Sequence, residues 1–207
     1  AEAYVIRSEA KSILNDSESA LIDLDTAIKI NSQNDDFFLK RAEIKYDLND
    51  YYSVISDCIR SIELNPNNPY AYYIAAGAKF FLKNIGDSLI DLNKAIDLNP
   101  NDKDFYFLRA SINQRLGNAS EAMSDFKKVI DLSSDNEMKS SVYYLISTLL
   151  FNNNDLKSAF QNINIAINLN PNYIFIYQKA FYFEQEGNFE SLLIELNKLI
   201  SIRPNEK

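Results

Sequence analysis

The chain has 207 residues, a formal charge of −8, no histidine and one cysteine, Cys58. Without histidine, Ser–His–Asp and Cys–His catalysis and His/Cys zinc sites are excluded, and a lone cysteine cannot close an internal disulfide. The acidic balance also argues against nucleic acid, whose binders carry a basic face. With 46% hydrophobic residues and 13% aromatics, all Tyr or Phe, there is enough apolar material for a continuous core. No run reaches the length of a membrane span. The first residues, Ala1-Glu2-Ala3-Tyr4, show no signal-peptide pattern and no initiator Met. The expectation is a chain processed or cut from something longer, of unknown localisation.

From there the sequence reads as six successive repeats, at about 1–34, 35–68, 69–102, 103–136, 140–172 and 173–205. The clearest tails are Ser56 to Asn67, Asp91 to Asp102, Asn162 to Asn172 and Leu196 to Asn205. Each is the end of an amphipathic helix stopped by a proline, which has no N–H and clashes with the preceding turn. Pro66 and Pro100 stand 34 residues apart, a period that belongs to helical repeats. Every repeat divides into helix A, a turn, helix B and a loop. Small side chains recur in mid helix A (Ser8, Ala42, Ala76, Ala110, Ser147, Ala180). They recur at the start of helix B (Ala20, Val54, Ser88, Ala122, Ala159, Leu192) and later in it (Ala27, Ser61, Ala95, Val129, Ala166, Leu199). Such columns let two antiparallel helices approach closely while larger neighbours fill the seam.

The turns are legible as well. Gly117 and Gly187 stand where a helix end takes a left-handed residue, and Asn49-Asp50 and Asn154-Asp155 fill the same role with Asp as the next cap. Irregularities are expected at Ser32 and Ser134, which replace the loop proline and should loosen those connections. Glu137-Met138-Lys139 reads as an insertion that lengthens a loop or the start of the next helix A.

These columns, in six successive units, resemble the tetratricopeptide repeat family over nearly the whole chain. The resemblance implies an all-α fold: an α-solenoid, a right-handed superhelix of about six antiparallel helix-pair repeats forming a single array over 1–207. It also implies that A helices line a concave groove. Family members that bind chaperones hold a C-terminal carboxylate with Lys, Asn, Asn, Lys and Arg on three A helices. The first matching window here is Val5, Glu9, Lys40, Tyr70 and Ile74, and none of the four windows is basic. That activity is excluded.

One pair of columns is charged: Arg7, Arg41, Ala75, Arg109, Ile146, Lys179 in helix A, and Asp23, Asp57, Asp91, Asp125, Asn162, Glu195 in helix B. An acid–base pair repeated in unit after unit is the behaviour of structure rather than of catalysis. Arg41–Asp57 and Arg109–Asp125 are expected to bridge within their repeats, with Lys179–Glu195 looser. Cys58 falls on a buried stripe and reads as a small core residue.

The columns that the family's geometry turns into the groove are acidic at the N-terminal end and aromatic from the third repeat onward. The candidate partner-binding residues are Glu43, Asp47, Tyr70, Tyr73, Phe80, Phe107, Tyr144, Phe151 and Tyr177. Clustered Tyr and Phe on a solvated face are typical of binding hot spots, although several of these rings could instead pack on the next A helix. Glu43 and Asp47 lie four apart, as paired catalytic or metal-binding carboxylates sometimes do, but read better as a solvated acidic face. The expected function is a non-catalytic scaffold, without cofactor or metal, that binds a protein or peptide carrying basic and apolar residues. The alternatives are a regulatory or substrate-recognition arm of a larger enzyme or assembly, or a self-association module. Helix B of the last repeat carries Leu192, Leu193, Ile194, Leu196, Leu199, Ile200 and Ile202, more than one buried stripe requires. A bare apolar strip and weak homo-oligomerisation through that repeat are therefore expected.

Overall fold

The computed structural model describes residues 1–202, with side chains to residue 201. The last loop proline, Pro204, and the side chain of Ile202 lie outside the described residues. Among those described, the chain folds into helices only: α1 (Glu2–Ile13), α2 (Ser17–Ile30), α3 (Asp35–Asp47), α4 (Tyr51–Leu64), α5 (Pro69–Phe81), α6 (Ile85–Leu98), α7 (Lys103–Leu116), α8 (Ala119–Leu132), α9 (Asn136–Asn152), α10 (Leu156–Leu169), α11 (Tyr173–Glu186) and α12 (Phe189–Ile202). They group into two compact units, residues 1–112 and 113–207, and the division falls within α7.

Local chemistry fixes the helix ends. Each A helix is followed by a left-handed residue: Asn15, Asn49, Lys83, Gly117, Asn154 and Gly187. Lys83 is the costly member of this set, because a Cβ crowds the following carbonyl at positive φ. The next helix then starts on a cap. Asp16, Asp50 and Asp155 accept from the backbone N–H of Ser19, Ser53 and Ser158, and each satisfies one of the donors a helix start leaves open. Ser32 does not alter its turn: Asn31 ends α2 at φ −141°, ψ 96°, close to φ −141°, ψ 86° for Asn65 before Pro66. The insertion Glu137-Met138-Lys139 lies in the first turn of α9, which reaches 17 residues.

The small columns are buried as expected, only Leu192 and Leu199 staying half-exposed. A further column had no place in the sequence reading. Phe37, Ala71, Phe105, Val142 and Phe175 are buried, each one residue before the bulky Phe38, Tyr72, Tyr106, Tyr143 and Ile176 of helix A. They work with Ile44, Ala78, Ile112, Leu149 and Tyr182, seven residues on, which are also buried. Within the first unit, Phe37 and Ile44 join Val5, Ala20, Leu24 and Ala27 of the preceding helix pair. Ala78 likewise joins Val54 and Cys58, and Ile112 joins Ala76 and Leu92. Within the second unit, Phe175 and Tyr182 join Ala159, Ile163 and Ala166. Within the units, α3, α5 and α11 thus bury one stripe against their own B helix and another against the pair before them. Ala3 and Ala10, at the same positions of α1, are exposed.

Candidate partner-binding face

The charged columns lie inside the helix pairs. In the first unit, Arg7 Nη2 and Nε donate to the two oxygens of Asp23 at 2.5 and 2.8 Å, and Lys11 Nζ adds a third contact at 2.7 Å. Arg41 and Lys45 repeat this around Asp57, and Arg41 also reaches Asp25 of the preceding pair at 2.6 Å. In the third pair, where Ala75 replaces the arginine, Lys79 alone holds Asp91 at 2.6 Å. A second basic column, Lys11, Lys45 and Lys79, therefore stands one turn after the arginines and was missed from sequence. In the second unit, Lys179 meets Glu195 at 2.9 Å, against 2.5 to 2.6 Å for Arg7–Asp23, Arg41–Asp57 and Lys79–Asp91, the looser contact that was expected. Arg109 and Asp125, also expected to bridge, belong to different units.

The acids respond to these surroundings in different ways. Bonds from Arg7 and Lys11 hold the Asp23 carboxyl well below the usual range. Burial pushes Glu195 up, but contacts from Lys179 and Lys198 outweigh it and leave the group lowered. Asp91 stays raised, because burial outweighs its single lysine. Cys58 is sealed in the core, and burial lifts its thiol to about 12, far from nucleophilic use.

The opposite face of the A helices divides the candidate residues into two kinds. Tyr70 and Tyr177 project into solvent, at 46% and 63% exposure. Tyr73 is half-buried against Phe105, with ring centroids 5.1 Å apart. Tyr144 stacks on Phe175 at 5.2 Å, and Phe151 on Tyr182 at 4.4 Å. Phe80 packs beside Phe81 at 5.8 Å, and Phe107 is half-buried. Tyr73, Tyr144 and Phe151 fill space between helices, and all five rings stay half-buried.

Glu43 and Asp47 are exposed on α3 and line a cavity of about 300 Å³ with Tyr46, Tyr73, Ile74, Gly77 and Leu108. Gly77 makes that cavity possible, since a Cβ there would come within 2.7 Å of the Tyr46 hydroxyl oxygen. Burial lifts the Tyr46 phenol to about 12 and pushes Tyr73 up as well. Burial also raises Glu43; Lys40 opposes this, while Asp36, Asp47 and Glu9 reinforce it.

In the second unit a cavity of about 370 Å³ opens where the ladder fails. Ile146 and Asn162, which replace the base and the acid, both line it, together with Tyr143 and Leu150. Among the described residues, no three metal-ligating side chains come together, and no helix is long and apolar enough to cross a membrane.

A tetratricopeptide repeat model matches residues 104–136. Solved structures match far more of the chain. Pseudomonas aeruginosa PilF superposes with a TM-score of 0.78 at 14% identity, over 99% of this chain and 92% of its own. MamA gives 0.72 at 19% identity, over 78% and 93%. YrrB, a tetratricopeptide-repeat protein with an unusual peptide-binding site, gives 0.71 at 17% identity, over 88% and 93%. The chain has the helical-repeat fold of these tetratricopeptide-repeat proteins. No curated protein matches its sequence. At these identities the likeness establishes the all-α helical-repeat fold. Within that fold, the A helices carry the rings, and α3 carries Glu43 and Asp47, which have no ion-pair partner among the described residues.

Proposed function

We propose that the protein is a non-catalytic scaffold, organised as one array of repeats over 1–207, that binds a segment of a partner protein along its A helices. The observation that carries this reading is the division of charge between the two sides of the helix pairs. The B-helix acids Asp23, Asp57, Asp91 and Glu195 are held by bases of their own repeats. Glu43 and Asp47 on α3 have no ion-pair partner among the described residues, and they stand beside rings that keep a solvent-facing edge. Fold stability does not need that arrangement, whereas recognition of a basic and apolar segment does. The peptide-binding site named for YrrB supports the same reading by analogy.

The test is a display of random twelve-residue peptides probed with the full chain. Binders that depend on Tyr70 and Tyr177 are the expected result. Binding that survives Tyr70→Ala and Tyr177→Ala together would remove the rings from the site.

A second reading, weak self-association, rests on α12, where Leu193, Ile194 and Ile200 are exposed at 60%, 57% and 62%. Light scattering at rising concentration should show a growing mass that Leu193→Glu abolishes. A constant monomeric mass would reject self-association and leave partner binding untouched.

A further inference from the structure

The cavity between α3, α5 and α7 in the first unit is lined by two carboxylates and two phenols, with no basic side chain. Glu43 and Asp47 lie one turn apart on α3 and bring two negative charges to its rim. Lys40, the nearest base on that face, is already engaged with Glu9 at 2.6 Å and Asp36 at 3.8 Å. Across the cavity Tyr73 feels the further negative field of Asp104 and Asp102. The hydroxyls of Tyr46 and Tyr73 have no hydrogen-bond partner among the described residues, unlike those of Tyr70, Tyr72 and Tyr106, which bond to Asp102, Pro66 and Pro100. Ile74, Gly77 and Leu108 supply apolar wall. A cavity of about 300 Å³ takes one long side chain rather than a helix.

An occupant that suits this lining brings positive charge and several donors, and tolerates ring faces and apolar wall. Resting on the partner-binding reading above, we infer that this cavity is a subsite for a single arginine side chain of the bound segment. Guanidinium offers five N–H donors to two carboxylates and two phenol oxygens. Its plane stacks on tyrosine, and it sheds water more readily than an ammonium group does. Lysine satisfies the charge but presents a compact, strongly hydrated point that uses neither ring. Citrulline keeps the shape of arginine and lacks the charge.

The test is a titration of the ¹⁵N-labelled full chain with N-acetyl-arginine amide, N-acetyl-lysine amide and N-acetyl-citrulline amide at matched salt. The arginine compound should shift the backbone amides of Glu43, Asp47, Tyr73 and Gly77 saturably. Lysine should bind several-fold more weakly, and citrulline should give no saturable shift. Glu43→Gln with Asp47→Asn should abolish the arginine response at an unchanged melting temperature. Equal responses to arginine and citrulline, or to arginine and lysine, would overturn the assignment. So would shifts that survive the double variant. The peptide display separates this failure from failure of the wider reading. Binders lost in Tyr177→Ala but untouched by the double variant would overturn the arginine subsite and leave partner binding standing. A positive arginine titration with no peptide binder would do the reverse.

Discussion

The second and fifth helix pairs share a backbone and fill their inner seam in opposite ways. In the second, Asp57 is buried and held by Arg41 and Lys45 at 2.5 to 2.9 Å. In the fifth, Ile146 and Asn162 replace base and acid, the amide of Asn162 turns back to Ser158 O at 2.8 Å, and a cavity lies beside them. Charge was not required for the fold, since the fifth pair keeps the same helices without it. Once a carboxylate is buried, however, its partners become obligatory, because an orphaned charge costs more than the pair returns.

The largest expected effect follows directly. Asp57→Asn should lose about 3 kcal/mol in urea unfolding, as it strands Lys45 in a half-buried seam and leaves Arg41 with Asp25 alone. Asn162→Ala, the matching change in the fifth pair, should cost about 1 kcal/mol, the worth of one ordinary hydrogen bond. Similar losses at the two sites would erase the distinction.

Acid titration sharpens the comparison by sign. The depressed carboxyl of Asp23, held by Arg7 and Lys11, contributes stability that is complete above about pH 4 and drains as pH falls through its lowered value. Asp91, raised by burial against the pull of Lys79, behaves inversely: its ionisation costs stability as pH climbs from about 4 through its raised value. Between pH 3 and 7 the wild type should gain on Asp23→Asn and lose ground to Asp91→Asn. Parallel urea midpoints for both variants would contradict the assignment of causes.

The smallest effect is at a turn. Lys83 holds φ 63° where other repeats place Asn or Gly. Lys83→Gly should gain about 1 kcal/mol, the cost of a Cβ in the left-handed region. Gly117→Ala, at φ 79°, should lose a similar amount.

Helix pairs and their small-residue columns were legible because packing two helices closely leaves a periodic trace in size. What stayed hidden is what needs a neighbour. Phe105 and Phe175 are buried by the pair before them, so no single amphipathic stripe announces them. Lys11, Lys45 and Lys79 are ordinary surface residues in sequence and become ladder members only when a helix B acid lies opposite. The same reason limits the candidate site. Tyr73 and Tyr177 occupy matching groove columns, yet Phe105 packs on the first, while the second stands at 63% exposure.

The central claim, that exposed A-helix rings serve binding while half-buried ones serve mainly the core, is tested by measuring affinity and melting together in two variants. Tyr177→Ala should lose affinity for a selected peptide at least tenfold with an unchanged melting temperature. Tyr144→Ala, which breaks the stack on Phe175, should lower the melting temperature clearly. A Tyr177→Ala protein that binds at full affinity, or that unfolds as readily as Tyr144→Ala, would contradict it.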